Sequence, residues 1–519
     1  MPEASFSRGA SPGAQHPPTA VPRADPPPAT THGTRATAAA GPAGLLASLA
    51  PLLTEWLPRQ RWFAGKGRPV TGFALVCATE LLPYATGSTT PGLLHLLIRA
   101  QQPEPPGHRH GSGCGHRRGA AASDCYQILL GVRSTLPPRL APALIGRPSS
   151  GPLHGWTVYE ALLDPRLATL LLERLRMPGT LGPLRFLNEP SAAIPSALAP
   201  RLVTAEQSNS SVIYGDTFIL KLFRRVSPGT NPDLELPLAL ARTGCTRVPA
   251  PAAWFEAVPP VEGAGAGAGP RSDPFTLGVL QPYLAGSTDG WQLALDAVAA
   301  RDDFTDAAHA LGQATAEVHL AMARALPTSV LRRPQIEHLA AAMSERLDAA
   351  AAAVPALHPY RAALHSAYED LAALGRAGRT WTAQRIHGDL HLGQVLRRTV
   401  EGEERWSLID FEGEPSRPLD ERRRPQPAVR DIAGMLRSFD YAAAVSGHDG
   451  PQNWAGRARA AYCAGYAEAS GADPRDEPEL LRAHETDKAV YEVVYEARHR
   501  PEWLPVPMSA IHRLAATPT

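Results

Sequence analysis

The stretches Gln384–Leu396 (QRIHGDLHLGQVL) and Trp406–Glu412 (WSLIDFE) decide how the chain is interpreted. Each combines apolar residues typical of a buried strand with polar residues that do not belong in a core. In the second stretch, Asp410 and Glu412 flank Phe411, so an extended backbone places both carboxylates on one side. The pattern predicts a strand, a polar loop, a second strand and an acidic tip.

The polar side chains of these stretches are of the types that phosphoryl transfer uses. Asp389 is a carboxylate that can accept a proton from a hydroxyl group, and Gln394 supplies an amide oxygen five residues later. Together with Asp410 and Glu412, they are the groups needed to hold Mg²⁺ and to orient an alcohol beside a nucleotide phosphate. A His-Gly-Asp sequence alone is also common in tight turns. Features elsewhere in the chain must therefore distinguish a structural turn from a phosphoryl-transfer site.

Length and composition indicate a metabolic protein of several domains. At 519 residues, two or three cores are expected, and a net charge of +1 gives no reason to expect nucleic acid or a membrane as a partner. Five scattered cysteines indicate a reduced, cytoplasmic compartment. The insert Gln101–Arg118 contains histidines and a cysteine, but its glycine and proline favour a solvated loop, and no metal is predicted there.

Four segments are expected along the chain, and the predicted fold class is α+β with two lobes. Residues 1–42 carry too few large apolar side chains to fold and are expected to be a disordered tail. Residues 43–140 are predicted to form a small α+β subdomain, with a helix followed by antiparallel strands. Residues 141–284 are predicted to form a β-rich small lobe, and residues 285–519 a helical lobe that carries the two quoted stretches.

The small lobe contains a candidate grip for nucleotide phosphates. Residues 201–223 read as three strands, and the first turn ends in a polar tip whose N–H groups and hydroxyls can cover phosphate oxygens. This tip consists of Ser208, Asn209, Ser210 and Ser211. Lys221 in the third strand can neutralise the phosphates, although a lone lysine in a strand is more often a solvated edge charge. Glu235, in the next helix, is either a partner that orients Lys221 or a surface residue.

Two further groups of residues are candidates for ligand contacts. The strand that ends in Gln281–Leu284 leads out of the small lobe, and its backbone at Gln281 and Tyr283 can hydrogen-bond an adenine ring. On the last long helix, a set of polar and aromatic residues recurs at spacings of three and four and shares one face, which is either a sugar cleft or a solvated surface. The set comprises Lys488, Tyr491, Glu492 and Tyr495. Arg437 lines the same cleft or braces the loop, and His387 is taken as a further acceptor residue.

Several motifs resemble the protein-kinase-like superfamily of antibiotic and small-molecule phosphotransferases, and within it the maltokinase family. The matching stretches are RQRWFAGK (residues 59–66), HGDLHLGQ (387–394), IDFEGEP (409–415), RRRP (422–425) and RDIAGMLRSFDY (430–441). The resemblance covers most of residues 45–510. The His-Gly-Asp element is shared by the whole superfamily, whereas the IDFEGEP and MLRSFDY runs are much more specific.

The resemblance implies an enzyme that uses ATP and Mg²⁺ to convert maltose to maltose 1-phosphate for α-glucan synthesis, with a cap on the small lobe. On this hypothesis Asp389 is the catalytic base, Gln394 and Asp410 bind the metal, Glu412 lies near a second metal or its water shell, and Lys221 neutralises the phosphates. The expected partners are maltose, ATP and an α-glucan or trehalose-converting enzyme, and a monomer is expected rather than a dimer.

Two alternatives remain open at this stage. The acceptor could be glucosamine or an aminoglycoside, but a cationic acceptor needs a surplus of carboxylates, whereas the last long helix mixes Lys488 and Arg498 with its acids. The chain could also be a non-catalytic nucleotide-binding scaffold. The presence of Lys221, Asp389 and Asp410 together argues against a scaffold, because a scaffold could lose any of them.

Overall fold

The structure is a computed structural model. It describes residues 35–85, 88–103, 123–203, 208–260, 273–414, 417–445 and 453–516. Residues 1–34 of the expected tail and most of the insert Gln101–Arg118 lie outside these ranges. Helix α1, Arg35–Trp56, takes in the last residues of the expected tail, and Gly41, at φ 65°, interrupts it.

The first sheet and helix α1 form an N-terminal cap. Its strands are β1 (Gly72–Leu82), β2 (Gly92–Gln101), β3 (Asp124–Arg133), β4 (Leu144–Gly146) and β5 (Thr157–Glu160). They run antiparallel in the order β1-β2-β3-β5-β4. Since β4 and β5 belong to this sheet, the boundary expected at residue 140 falls inside the cap.

The cap sheet is buried on both faces, which explains why β2 reads as a nearly continuous apolar run. Leu94 and Leu96 face the core that contains α1, whereas Leu93 and Leu97 face a core shared with the next sheet. Alternate residues of a strand point to opposite faces, so one strand serves two cores.

The second sheet forms the small lobe with helices α2 (Pro165–Arg176) and α3 (Pro232–Arg242). Its strands are β6 (Gly179–Leu181), β7 (Leu184–Asn188), β8 (Pro200–Val203), β9 (Asn209–Tyr214), β10 (Phe218–Phe223), β12 (Ala253–Ala257) and β13 (Phe275–Pro282), in the order β6-β7-β12-β13-β10-β9-β8. The three strands expected over residues 201–223 are β8, β9 and β10.

The two sheets are joined through the main chain and through a buried side chain. Strand β10 continues into β11 (Arg225–Val226), which pairs with β3 of the cap. The Gln127 amide on β3 donates to the Phe223 and Leu277 carbonyls, both at 2.8 Å. The cap is therefore packed and hydrogen-bonded onto the small lobe.

The C-terminal lobe is helical, as expected. Its helices are α4 (Gly290–Ala300), α5 (Thr305–Ala325), α6 (Arg333–Ala353), α7 (Arg361–Arg376), α8 (Leu419–Arg422), α9 (Val429–Val445), α10 (Trp454–Ser470), α11 (Pro478–His499) and α12 (Pro505–Ala516). Short strands are β14 (Thr288–Asp289), β15 (Ser329–Leu331), β16 (Trp381–Ala383), β17 (Val395–Val400) and β18 (Glu403–Leu408). Within the described ranges, no helix is both long and apolar enough to cross a membrane.

The quoted stretches lie around the β17–β18 hairpin. The loop that carries Asp389 leads from β16 into β17, and Asp410 follows the end of β18. Helices α5 and α10 pack closely against each other behind this region. Gly312 of α5 lies so near Tyr462 of α10 that a Cβ at residue 312 would overlap the Tyr462 carbonyl. The structure thus confirms the predicted α+β fold with two lobes.

Candidate active site

A buried carboxylate on α9 shapes the loop before Asp389. Asp431 accepts hydrogen bonds from the backbone N–H groups of His387 (2.7 Å) and Gly388 (2.9 Å), and it contacts His319 at 3.1 Å. Burial alone would raise the pKa of Asp431, but the hydrogen bond and charge of His319 lower it below its usual value. Gly388 has φ +86°, a conformation that favours glycine. The chain can therefore turn sharply and expose Asp389.

The His387 imidazole points into the protein and not toward an acceptor. It is 1% exposed, its Nε2 lies 2.8 Å from the Ile409 carbonyl, and its ring packs on Phe411 with centroids 4.6 Å apart. Because a carbonyl oxygen only accepts, Nε2 carries the proton in this contact. The prediction that His387 binds the acceptor is wrong; this side chain ties the Asp389 loop to the Asp410 segment.

Three carboxylates surround the Lys221 ammonium group. Its Nζ lies 2.8 Å from Asp233, 2.5 Å from Asp410 and 2.7 Å from Glu412. Oxygens of these three acids lie within 4.8 Å of one another. Burial alone would lower the pKa of Lys221, but the three carboxylates outweigh burial and raise it well above its usual value. Lys221 is therefore a charged residue of the site and not a solvated edge lysine.

The acid of α3 that contacts Lys221 is Asp233 and not the predicted Glu235. Asp233, in the first turn of α3, contacts Lys221 and also accepts from the Phe411 N–H at 2.7 Å. Glu235 instead pairs with Arg385 at 2.8 Å and Arg423 at 3.1 Å. Both acids lie in the first turn of α3, but residues two apart on a helix point in directions roughly 200° apart, so only one of them can face Lys221.

The other two acids of the cluster differ in their protonation tendency. Burial alone would raise the pKa of Asp410, but the Lys221 charge and hydrogen bond lower it below its usual value. Burial raises the pKa of Glu412, and Lys221 opposes this while the Asp410 charge adds to it. Lys221 therefore favours the charged form of Asp410, whereas burial and the Asp410 charge disfavour the charged form of Glu412.

Gln394 and Asp410 are placed to hold a metal ion together. The Gln394 amide nitrogen donates to the second Asp410 oxygen at 3.1 Å, and the Ile409 N–H donates to the Gln394 backbone carbonyl at 3.0 Å. Asp410 has φ +65°, which bends the chain and turns its carboxylate into the site. Carboxylate and amide oxygens are the ligands that Mg²⁺ prefers, so Gln394 and Asp410 are of the types that fit the predicted ion. In this structure both oxygens of Asp410, like both oxygens of Asp233, accept hydrogen bonds from protein groups.

The polar tip lies over this cluster, but its members point in different directions. Asn209 donates to Glu412 at 2.6 Å, and the Ser210 hydroxyl accepts from Arg224 at 2.8 Å. Ser208 is exposed, whereas Ser211 is 1% exposed and lies inside β9. The prediction that the Ser211 hydroxyl contacts phosphate is therefore wrong. Residues 204–207 of the same turn lie outside the described ranges.

The exit strand β13 uses part of its backbone within the chain. Tyr283 N–H donates to the Thr217 carbonyl at 2.8 Å, and the Tyr283 carbonyl accepts from Ala285 at 3.0 Å. Gln281 lies opposite Ile219 in the β10–β13 ladder. The structure argues against the predicted backbone bond from Tyr283 to adenine, and the role of Gln281 stays a prediction.

On the acceptor side, Asp389 forms an ion pair with helix α11. Its Oδ1 lies 3.0 Å from Lys488 Nζ, which also approaches Glu414 at 4.0 Å. Glu414 binds Arg417 at 2.6 Å and Arg430 at 3.0 Å. Burial would raise the pKa of Glu414, but the neighbouring cations lower it to about 2. The candidate base Asp389 and the neighbouring Glu414 are therefore both already paired with cations.

The other predicted acceptor residues divide into buried and exposed groups. Arg437 is 1% exposed and bonds Glu492 and Asp440, both at 2.8 Å. Its predicted role at the cleft surface is wrong; it braces Glu492 from inside. Tyr491 and Tyr495 are 38% and 39% exposed, with ring centroids 6.3 Å apart.

A cavity of about 220 Å³ opens beside Lys488 and Tyr491. Its charged lining residues are Arg346, Arg417, Arg430, Lys488 and Arg498 on the basic side, and Glu414 and Asp487 on the acidic side. Arg346 binds Asp487 through two contacts, at 2.8 and 2.9 Å. The sequence did not predict this pair, because α6 and α11 are far apart along the chain and only folding joins them.

Two family descriptions match this chain. Residues 56–164 match the maltokinase N-terminal cap domain, and residues 200–475 match the phosphotransferase enzyme family. The second match covers more than half of the chain.

Named relatives are similar over most of their own length. A glucosamine kinase of Streptacidiphilus jiangxiensis is 30% identical over 363 residues, which are 65% of this chain and 78% of that protein. A glucosamine kinase of Mycolicibacterium smegmatis (strain ATCC 700084 / mc(2)155) is 30% identical over 351 residues, which are 62% of this chain and 82% of that protein.

A solved structure shares the fold. It is a glucosamine kinase in complex with glucosamine, ADP and inorganic phosphate, with a TM-score of 0.58 and 24% identity, covering 89% of this chain and 98% of that chain. A second crystal form, called form B, reaches a TM-score of 0.61 at 23% identity, covering 90% of this chain and 99% of that chain. From these matches, the chain belongs to the phosphotransferase enzyme family, and its residues 56–164 match the maltokinase N-terminal cap domain.

Proposed function

We propose that the protein transfers the γ-phosphoryl group of ATP to the anomeric hydroxyl of maltose, giving maltose 1-phosphate and ADP. Membership of the phosphotransferase family and the acidic cluster around Lys221 support ATP and Mg²⁺ as the cofactors. The choice of acceptor rests on one observation, the charge of the cleft beside Asp389.

The cleft beside Asp389 favours a neutral acceptor over a cationic one. Five basic and two acidic side chains line the cavity next to Lys488. Asp389 is paired with Lys488, and Glu414 with Arg417 and Arg430, so an ammonium group would meet carboxylates that are already neutralised. A neutral sugar needs hydrogen-bond donors and acceptors with an apolar platform, and Tyr491 supplies the platform.

The proposed reaction assigns one task to each side chain of the site. Asp389 orients the acceptor hydroxyl and takes its proton as that oxygen bonds to the γ-phosphorus, and the bond between phosphorus and the ADP oxygen breaks. Lys221, held by Asp233, neutralises phosphate oxygens. Gln394 and Asp410 would hold Mg²⁺, which supplies further charge neutralisation when bound, and Glu412 lies beside them.

Glucosamine is the second candidate acceptor, because both named relatives at 30% identity are called glucosamine kinases. Glucosamine differs from maltose in its amino group and in the absence of a second glucosyl unit, and the basic lining of the cleft supports the neutral sugar.

An acceptor comparison tests the proposal directly. Purified protein with Mg²⁺ and ATP is given maltose, glucosamine or kanamycin, ADP release is measured, and phosphorus NMR locates the new phosphate. Maltose is expected to show the highest kcat/KM and a 1-phosphate product. A preference for glucosamine or kanamycin overturns the proposal. If no acceptor yields ADP while ATP still raises the melting temperature, a binding scaffold is the better description.

Partners and location are proposed on the same basis. The product is an activated sugar suited to an α-glucan-forming enzyme, and we retain association with such an enzyme or a trehalose-converting one, a cytoplasmic location and a monomeric state as proposals.

A further inference from the structure

A second and larger cavity adjoins the one beside Lys488. It has a volume of about 580 Å³ and lies between α6, the segment 417–430 and α11. The residues that border both cavities are Arg346, Arg417, Arg430, His484 and Asp487. The two cavities are therefore neighbours, and the smaller one adjoins the candidate base through Lys488, which contacts Asp389.

The walls of the larger cavity differ in chemistry. Leu331, Leu339 and Met343 line it on the side of β15 and α6, together with Pro334. Polar groups that include Gln426 line it elsewhere. An α-linked glucan has apolar C–H faces and a rim of hydroxyl groups, so it can contact both kinds of surface at once.

The arginines that line this cavity are already paired with acidic groups, which argues against an anionic occupant. Arg346 is held by two contacts to Asp487, at 2.8 and 2.9 Å. Arg430 donates to Gln426 at 2.5 Å and to Glu414 at 3.0 Å. Paired groups retain N–H donors and carboxylate lone pairs for hydroxyl groups, but they attract an anion weakly.

A buried histidine with incomplete hydrogen bonding lies where the cavities meet. His484 is 3% exposed, and burial lowers its pKa to about 4, so the imidazole is neutral near pH 7. Among the described residues, its Nε2 has no hydrogen-bond partner. Buried polar atoms are normally hydrogen-bonded, and a sugar hydroxyl at this junction would supply the missing hydrogen-bond partner of His484 Nε2.

We propose that the larger cavity is an acceptor subsite for further α-1,4-linked glucosyl units, so that maltotriose and longer maltooligosaccharides are bound and phosphorylated. This inference rests on the proposed function, because it assumes that the reducing end of the acceptor lies at Asp389.

Two neighbouring alanines on α6 allow a matched test. Ala342 lines the larger cavity and is partly buried, whereas Ala341 is exposed on the same helix. For the wild type, kcat/KM for maltotriose is expected to lie within about tenfold of the value for maltose. Ala342→Trp fills the cavity and should lower kcat/KM for maltotriose by about tenfold or more, with maltose changed less than about twofold. Ala341→Trp should change neither value.

Calorimetric titration of maltotriose, without ATP, separates this inference from the proposed function. Turnover of maltose without turnover or binding of maltotriose overturns the subsite and leaves the maltokinase proposal standing. An equal loss for both sugars in Ala342→Trp, or binding of inorganic phosphate that this variant abolishes, also overturns it. If maltose is not an acceptor, the proposed function fails, and the subsite is supported only when the wild type, but not Ala342→Trp, both binds and phosphorylates maltotriose.

Discussion

At the residue scale, Asp389 is the proposed catalytic base and is also one partner of an ion pair. Its Oδ1 lies 3.0 Å from Lys488 Nζ. The ion pair orients the carboxylate without burying it. An acceptor hydroxyl can therefore approach an oxygen whose direction is already set.

Replacing the candidate base tests its role. Asp389→Asn keeps the shape of the side chain but removes the proton acceptor, so kcat should fall by about 10²–10⁴-fold. The rise in melting temperature with Mg²⁺ and ATP should persist, because Lys221 and Asp410 remain. Near-normal turnover of Asp389→Asn would show that the base assignment is wrong.

Asp233 and Glu235 show where residue-level prediction stops. The sequence identifies Lys221 and an acidic first turn in α3, but the choice of acid depends on how the helix axis lies against β10, which is a long-range property. Asp233→Ala should reduce the free energy of unfolding by about 1–3 kcal/mol, because the Phe411 N–H loses its acceptor. Glu235→Ala is the matched control and should cost less in urea unfolding. The reverse order would contradict this assignment.

Glu414 makes stability depend on pH. Its pKa is lowered from 4.5 to about 2, since nearby cations outweigh burial. A carboxyl group with a lowered pKa stabilises the folded state above its ordinary pKa, and this contribution is lost as the pH falls toward 2. The wild type should exceed Glu414→Gln in the free energy of unfolding by on the order of 3 kcal/mol at pH 6.

Urea unfolding between pH 6 and pH 2.5 measures this difference, which should shrink as the pH falls. Glu404→Gln, which changes an exposed glutamate, is the control and should follow the wild type. A difference that stays constant over this range would contradict the proposed cause.

At the scale of elements, the cap contacts the polar tip (Ser208 to Ser211) through Arg224. This guanidinium is 2% exposed, donates to Ser210 at 2.8 Å and to Glu160 of the cap at 2.9 Å, and lies 5.0 Å from the Trp62 ring. Two cap side chains thus set the position of a residue beside Asn209 and the acidic cluster.

Ser210 variants test this link. Ser210→Ala removes the acceptor for Arg224, and a hydrogen bond to a charged group contributes about 1.5–3 kcal/mol, so KM for ATP should rise about tenfold. The kcat and the KM for the acceptor should change little. Ser210→Thr keeps a hydroxyl and should restore most of the ATP affinity. An equal loss in both variants would indicate a packing effect instead.

Helices and strands were largely predictable, because their apolar spacing is local. The strands over residues 201–223 and the helices from residue 429 onward follow that spacing. The role of α6 was not predictable, since the Arg346–Asp487 pair joins residues 141 positions apart. The paired strand β11, only two residues long, also carries no local signal.

At the scale of the whole molecule, the cap and small lobe share one hydrophobic core. Leu97 and Leu129 of the cap belong to the same cluster as Leu220 and Leu277. Removing residues 1–164 should expose this surface, so the shortened chain should aggregate and be absent from the supernatant after expression. Recovery of a monomer with one cooperative unfolding transition would contradict the shared core.

The run from Phe218 to Val226 is a strand of both sheets, and it carries Lys221 in one and Arg225 in the other. If the cap were exchanged for that of a relative, the surface against which this run packs would change. Lys221 would then be displaced. Substitutions at the cap face and on β10 should accumulate together as such enzymes diverge, and chimeras should inherit altered ATP affinity along with a foreign cap.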